Sequence, residues 1–183
     1  MRKSRFKKVM YIMLLVIIFM AGIIIKAPAW LVGSLLSKYS QHHLVTRNEN
    51  GTFWNGGALL VASDGTDKKY VPLMRINWKI KLGLSKFVTI NFDSYGQNVA
   101  LVVVDKNGLN ISNVNFSLAM EQLEAFAGNL GTLNLSGNVH VSAGNLSLGK
   151  KNSGTVNVSL NGIGSGMSPI NPIGNYELNF DIS

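Results

Sequence analysis

The stretch RINWKIKL, Arg75–Leu82, alternates without a break. Ile76, Trp78, Ile80 and Leu82 fall on one side, and Arg75, Asn77, Lys79 and Lys81 on the other. Successive side chains of a strand point to opposite faces, so this pattern builds a strand with one dry and one wet face. The same period returns along the chain. In VTINFD, Val88, Ile90 and Phe92 oppose Thr89, Asn91 and Asp93; in TVNVSLN, Val156, Val158 and Leu160 oppose Thr155, Asn157, Ser159 and Asn161. In NYELNFDI, Tyr176, Leu178, Phe180 and Ile182 share a face, as do Leu133, Leu135, Val139 and Val141 in TLNLSGNVHVS, where Gly137 interrupts the run. Turn signals separate the runs: DGT at 64–66, KNG at 106–108, AGN at 143–145 and KNSG at 151–154. Strands joined this tightly pair antiparallel with their neighbours.

One stretch leaves period two. In SLAMEQLEAFAGNL, residues 117–130, Leu118, Leu123, Phe126 and Leu130 recur near helical spacing. Ser117 can cap this helix, Glu121 and Glu124 point outward, and Gly128 can end it. One short amphipathic helix is too small to cover the apolar face of eight or so strands. The sheet must therefore curl, fold into two layers or meet a partner.

The other end of the chain has a different character. Val9–Ile25 is an unbroken apolar or small-residue run, preceded by Arg2, Lys3, Arg5, Lys7 and Lys8 and closed by Lys26. As a helix, this run is ~26 Å long, near the lower limit for crossing a bilayer core. Its basic flank predicts a cytoplasmic N-terminus, with the rest of the chain exported. APA, Ala27–Ala29, has the form of a signal-peptide cleavage site, but the length and the Ile and Leu content of the run favour a retained anchor. WLVGSLLSKYSQ then predicts a short helix over about Pro28–Tyr39. The expected organisation is a basic cytoplasmic tip at 1–8, a transmembrane anchor at 9–27, a juxtamembrane helix and linker at 28–43, and a periplasmic antiparallel β domain at 44–183. The fold class is mainly β: an N-terminal transmembrane helix, then a curled antiparallel sheet with one short amphipathic helix.

Composition narrows the function. The 183 residues carry a formal charge of +8, but beyond the basic tip twelve basic and nine acidic side chains leave only +3. No clustered basic face with interleaved aromatics is visible, so nucleic acid is not an expected partner. With no cysteine, disulfides and thiolate chemistry are excluded. The histidines His42, His43 and His140 form no ligand spacing, and His140 lies on a wet strand face. Asp64 and Asp67 share a loop but make at most a weak calcium site. GIGSG at 162–166 follows a strand and opens no helix, which removes a phosphate cradle. No catalytic, cofactor-binding or metal-binding residue is assigned, and the expected protein is not an enzyme.

NGTFWNGGA, Asn50–Ala58, sets Phe53 beside Trp54 among glycines. TFW and ALLVA read as two short strands joined through Asn55-Gly56-Gly57, with one ring turned into the core and the other over the facing strand or exposed.

These features together resemble the type II secretion system protein N family. The family's Gly-Thr-apolar-Trp-x-Gly-x-Ala motif is matched by Gly51, Thr52, Phe53, Trp54, Gly56 and Ala58. The strand around Trp78 is a second likeness. The closing PIGNY, with Pro172, Gly174 and Tyr176, is similar to the family's Pro-Leu-Gly-Asp-Tyr; Asn175 stands where the family tends to have Asp. The resemblance implies a non-enzymatic, inner-membrane-anchored, single-pass accessory component of a type II secretion apparatus, with its C-terminal domain periplasmic. Its partners would be the inner membrane and other secretion-platform proteins, and its work scaffolding or assembly. Phe53, Trp54 and Trp78 are the residues expected to decide the structure. The family is itself similar in architecture to envelope proteins that carry lipid along a curled, apolar-lined sheet, so an envelope lipid-binding or lipid-transfer module is the alternative.

Overall fold

A computed structural model describes residues 2–63, 70–123 and 134–182, the side chains of residues 2–9 excepted. Among the described residues the chain is mainly β, with three helices and one open antiparallel sheet of nine strands. The helices are α1 (Arg2–Ile25), α2 (Trp30–Tyr39) and α3 (Met120–Leu123). The strands are β1 (Leu44–Gly51), β2 (Asn55–Ser63), β3 (Tyr70–Leu82), β4 (Lys86–Ser94) and β5 (Gln97–Asp105), then β6 (Gly108–Ala119), β7 (Leu135–Gly149), β8 (Gly154–Ser165) and β9 (Gly174–Ile182). Each strand pairs with its sequence neighbour, so the spatial order is simply β1 to β9.

The register carries the apolar pattern across the sheet. Ile90 stands opposite Val102, Val102 opposite Ile111, and Ile111 opposite Leu146. Further along, Leu118, Val139, Leu160 and Tyr176 form one cross-strand row, and Phe116, Val141, Val158 and Leu178 the next. A one-residue slip would turn a whole strand's apolar set to water, so these rows fix the register.

The apolar face curls inward. Leu44 of β1, Leu60 of β2, Met74 and Ile76 of β3, Phe92 of β4, and Val139 and Val141 of β7 line one cavity of about 430 Å³. Gln122 of α3 ties that curl together. Its Oε1 accepts from Ala119 N at 2.9 Å, and its Nε2 donates to Pro72 O at 2.7 Å and Leu73 O at 3.0 Å, fifty residues away. A short helix after β6 thus reaches back to β3.

Three local expectations need correction. AGN at 143–145 is not a turn: it lies inside β7, with Ala143 opposite Val114 and Asn145 opposite Ser112. The irregularity falls on the partner strand, where Asn113 takes φ 56°. Ser117 and Leu118 do not open a helix either. Val114, Phe116 and Leu118 continue the alternation of β6, and Ser117 pairs with His140 across the strands, their side chains 2.9 Å apart. Pairing with β7 therefore outweighs the helical spacing, and α3 begins only at Met120. Phe126, Gly128, Leu130 and Leu133, with the turn expected at 64–66 and the Asp64–Asp67 loop, lie outside the described residues. Nor is TFW a strand: Phe53 and Trp54 lie in the connection between β1 and β2.

α1 is continuous from Arg2, so the basic tip and the apolar run share one helix. Met10–Ile25, sixteen residues, are all exposed. No helix, among the described residues, is long and apolar enough to cross a membrane.

Candidate functional site

Hydrogen bonds from two helices and two strands converge where α1 and α2 meet the sheet. The chain turns there between β1 and β2, and the turn is Thr52–Trp54, not Asn55–Gly57: Gly56 and Gly57 lie inside β2. Gly51 takes φ +81°, a left-handed conformation that side chains oppose. Thr52 then closes the turn. Its N–H donates to Asn55 O at 2.9 Å, and its hydroxyl accepts from Asn55 N at 3.1 Å. Phe53 and Trp54 occupy the tip, so they are free of the strand rule that would send them to opposite faces. Their rings meet edge to face, with centroids 5.2 Å apart and planes at 82°.

This tip grips the chain between α1 and α2. The last carbonyls of a helix have no partner within it. The Trp54 indole supplies one, donating to Ile24 O at 2.8 Å. Phe53 N donates to Ala27 O at 2.7 Å, and Thr52 and Pro28 form an antiparallel bridge. On the other side the turn is fixed to β3. Trp78 Nε1 donates to Phe53 O at 3.0 Å, and Ile80 N donates to Trp54 O at 2.7 Å.

Below the turn, Trp78 is the largest fully buried side chain, 2% exposed, and it packs with Ala29 and Ala58. Val32, Ile80, Ile90 and Phe92 surround this cluster. Small residues make the closeness possible. Gly56 stands opposite Trp78, and a Cβ there would lie 2.7 Å from the carbonyls of Asn50 and Thr52 and 2.8 Å from the indole. Gly33 of α2 likewise meets the Thr46 side chain of β1. Gly51, Thr52, Phe53, Trp54, Gly56, Ala58 and Trp78 thus converge on one junction.

Pro172, Gly174 and Tyr176 lie elsewhere, at the β8–β9 connection and on the far edge strand. There Asn175 Oδ1 accepts from Gly162 N at 2.7 Å, a role that either Asn or Asp can fill. The Tyr176 ring lies beside Gly174.

Ala29, the backbone acceptors at Ile24 and Ala27, and Gln122 were missed by sequence reasoning. APA did carry a signal for the first: its small residues suit the space under an indole as well as a protease.

Two further hollows open on the described surface. The 430 Å³ cavity under the curled sheet presents no polar surface. An open depression between α2 and β1 is lined by Trp30, Ser37, His42, Thr46, Arg47 and Glu49, among others. Four of its polar side chains are paired with each other: Thr46 donates to Glu49 at 2.6 Å, and Ser37 Oγ lies 2.9 Å from His42 Nδ1. Among the described residues, no three His, Asp or Glu side chains come close enough to hold a metal ion.

Fold and site together define an open β-meander locked at its first turn to an apolar helix. The family model for type II secretion system (T2SS), protein N, matches residues 43–183, and the chain belongs to that family of secretion-system components. No curated protein and no solved structure matches the chain.

Proposed function

We propose that the protein is a non-enzymatic accessory component of the inner-membrane platform of a type II secretion apparatus. In this reading α1 anchors it with the basic tip in the cytoplasm, and residues 44–183 form a periplasmic scaffold. The carrying observation is the junction. A domain on a free linker would not need Trp54, Phe53 and Thr52 to hold the backbone of residues 24–28. A sheet that must present one face at a fixed height beside the membrane would. The sixteen exposed apolar residues of α1 support the anchor, because water is a poor solvent for such a helix. Retention is supported by Ala29, 3% exposed in the core beside Trp78, since cleavage after it would split the cluster.

The surface offered to neighbouring secretion proteins is β9. It is an edge strand, and Tyr176, Leu178 and Phe180 are 47, 46 and 54% exposed. An unpaired edge with apolar side chains favours strand addition by a partner. A photo-crosslinking residue at Leu178 in the intact cell tests this. Crosslinks to secretion-platform proteins are expected, and Leu178→Lys with Phe180→Lys should abolish export while leaving the protein folded. Unimpaired export by that double variant would overturn the reading.

The apolar cavity favours a second reading, a lipid-handling module. A hollow without polar groups cannot orient a functionalised ligand and suits a hydrocarbon chain. Native mass spectrometry of the purified full chain distinguishes the two readings. Stoichiometric lipid, displaced by Ala100→Trp in the cavity wall, supports the carrier, and its absence supports the scaffold.

A further inference from the structure

The alternation of strand directions places the β1–β2, β3–β4, β5–β6 and β7–β8 turns at one end of the sheet, the end from which α1 departs. This end has two features that the opposite end does not combine. The first is apolar exposure at the β3–β4 turn, where Leu84 is 100% exposed, Leu82 67% and Phe87 49%. Leu84 touches nothing that would explain it as packing.

The second feature is charge. Lys81 and Lys86 flank that same turn, Lys106 sits in the β5–β6 turn, and Lys150 and Lys151 sit in the β7–β8 turn. The last two turns are neighbours, with Lys150 N bonded to Asn107 O. All five lysines are exposed, and the acids at this end are Glu49, Asp105 and Asp181, of which Glu49 accepts from the Thr46 hydroxyl. Asp105 is turned back to cap its own turn, accepting from Asn107 N at 2.7 Å. By contrast, at the opposite end Tyr95-Gly96 and residues 166–173 contain no charged side chain, and α3, in the β6–β7 connection, carries one acid, Glu121, and no lysine. The apolar surface also continues toward α1, because Ile23, Ile24, Leu31, Phe53 and Trp54 line one groove at the junction.

We propose that this end of the sheet is a second membrane contact. Leu82, Leu84 and Phe87 insert at the headgroup level, and the lysines bind an anionic lipid surface. The inference rests on the anchoring role of α1 proposed above. The chemistry is that of peripheral membrane binding, in which a small apolar insertion acts together with basic side chains in the surface field. The sheet would then stand on the bilayer at two points, α1 and the β3–β4 turn, and its orientation would be set by both.

The chain has no cysteine, so a nitroxide can be placed at one chosen position. Leu84→Cys, Tyr95→Cys and Ile17→Cys, each labelled in the full chain, are reconstituted into phosphatidylcholine vesicles with about one-third phosphatidylglycerol. Accessibility to oxygen against a water-soluble nickel chelate reads the depth of each label. The expected result is a Leu84 label shielded from nickel and a Tyr95 label open to it. Shielding at Leu84 should fall in pure phosphatidylcholine and in about 0.5 M salt. Lys106→Glu, Lys150→Glu and Lys151→Glu should return the label to water, by about fivefold or more for each lysine lost. A Leu84 label as nickel-accessible as the Tyr95 label in anionic vesicles overturns the proposal, and shielding indifferent to lipid charge overturns its anionic partner. The Ile17 label separates the two readings: Ile17 in the bilayer with Leu84 in water leaves anchoring intact and refutes only the docking.

Discussion

Trp78→Ala is the sharpest perturbation of this fold. The indole is 2% exposed and packs against Ala29, Ala58 and the surrounding Val32, Ile80, Ile90 and Phe92. A buried Trp removes roughly 200 Å² from water, which at about 25 cal/mol per Å² amounts to about 5 kcal/mol. Large-to-small truncations of aromatic side chains cost about 3–5 kcal/mol when the site relaxes only in part. The indole also donates to Phe53 O at 3.0 Å, and losing that bond contributes about 1 kcal/mol. Trp78→Phe keeps most of the apolar volume and gives up the bond, so it should cost about 1–2 kcal/mol. For a chain of this size, each kcal/mol moves the midpoint by about 2–4 °C. Thermal unfolding of the full chain in detergent, followed by the β-sheet circular dichroism signal, should therefore show a drop of about 6–20 °C for Ala and about 2–8 °C for Phe. Hydrogen exchange at Phe53 and Ile80 should accelerate in both, because the Phe53 amide lies in the turn that Trp78 holds and the Ile80 amide donates to it. An Ala variant within about 1 kcal/mol of the parent, or a Phe variant as damaged as Ala, would refute the argument that ring volume in the junction dominates.

Trp54→Phe removes the 2.8 Å bond to Ile24 O and keeps the ring, so trypsin should cut after Lys26 about fivefold faster while the melting temperature hardly moves. Gly56→Ala places a methyl 2.7 Å from two carbonyl oxygens and should lower stability by about 1–3 kcal/mol in chemical denaturation; Gly22→Ala, with nothing within 4 Å, should be neutral. Gln122→Leu deletes three hydrogen bonds between α3 and its surroundings and should cost about 2 kcal/mol, with exchange rising at Ala119.

Most strands were legible because their side-chain period survives intact from sequence to structure. Ile76-Trp78-Ile80 and Val156-Val158-Leu160 lie on one apolar face, and neighbouring strands pair as tight turns demand. Errors arose where two local codes compete. Gly56-Gly57 looks like a hairpin turn, but its glycines are needed for close approach inside β2, and the true turn is Thr52–Trp54, entered through the left-handed Gly51. AGN looks like a turn because small residues also mark strand irregularities. Leu118 fits a helix and a strand equally well, and pairing with Val139 across the sheet decides for the strand. The junction was half visible. The motif could be located from its residues, but its acceptors are backbone carbonyls of Ile24 and Ala27, which no side-chain pattern announces. Gln122 was hidden for the same reason, since its partners are the carbonyls of Pro72 and Leu73.

The strictly sequential order of the sheet bears on how the protein comes into being. Contacts between consecutive strands close short loops, which keeps the entropic barrier to folding low for an all-β chain. A polypeptide delivered N-terminus first can lay down β1 and β2 against the junction and then add each hairpin as it emerges. No strand has to wait for a distant one. At every stage of such vectorial assembly the newest strand presents the growing edge, and in the finished protein that edge is β9.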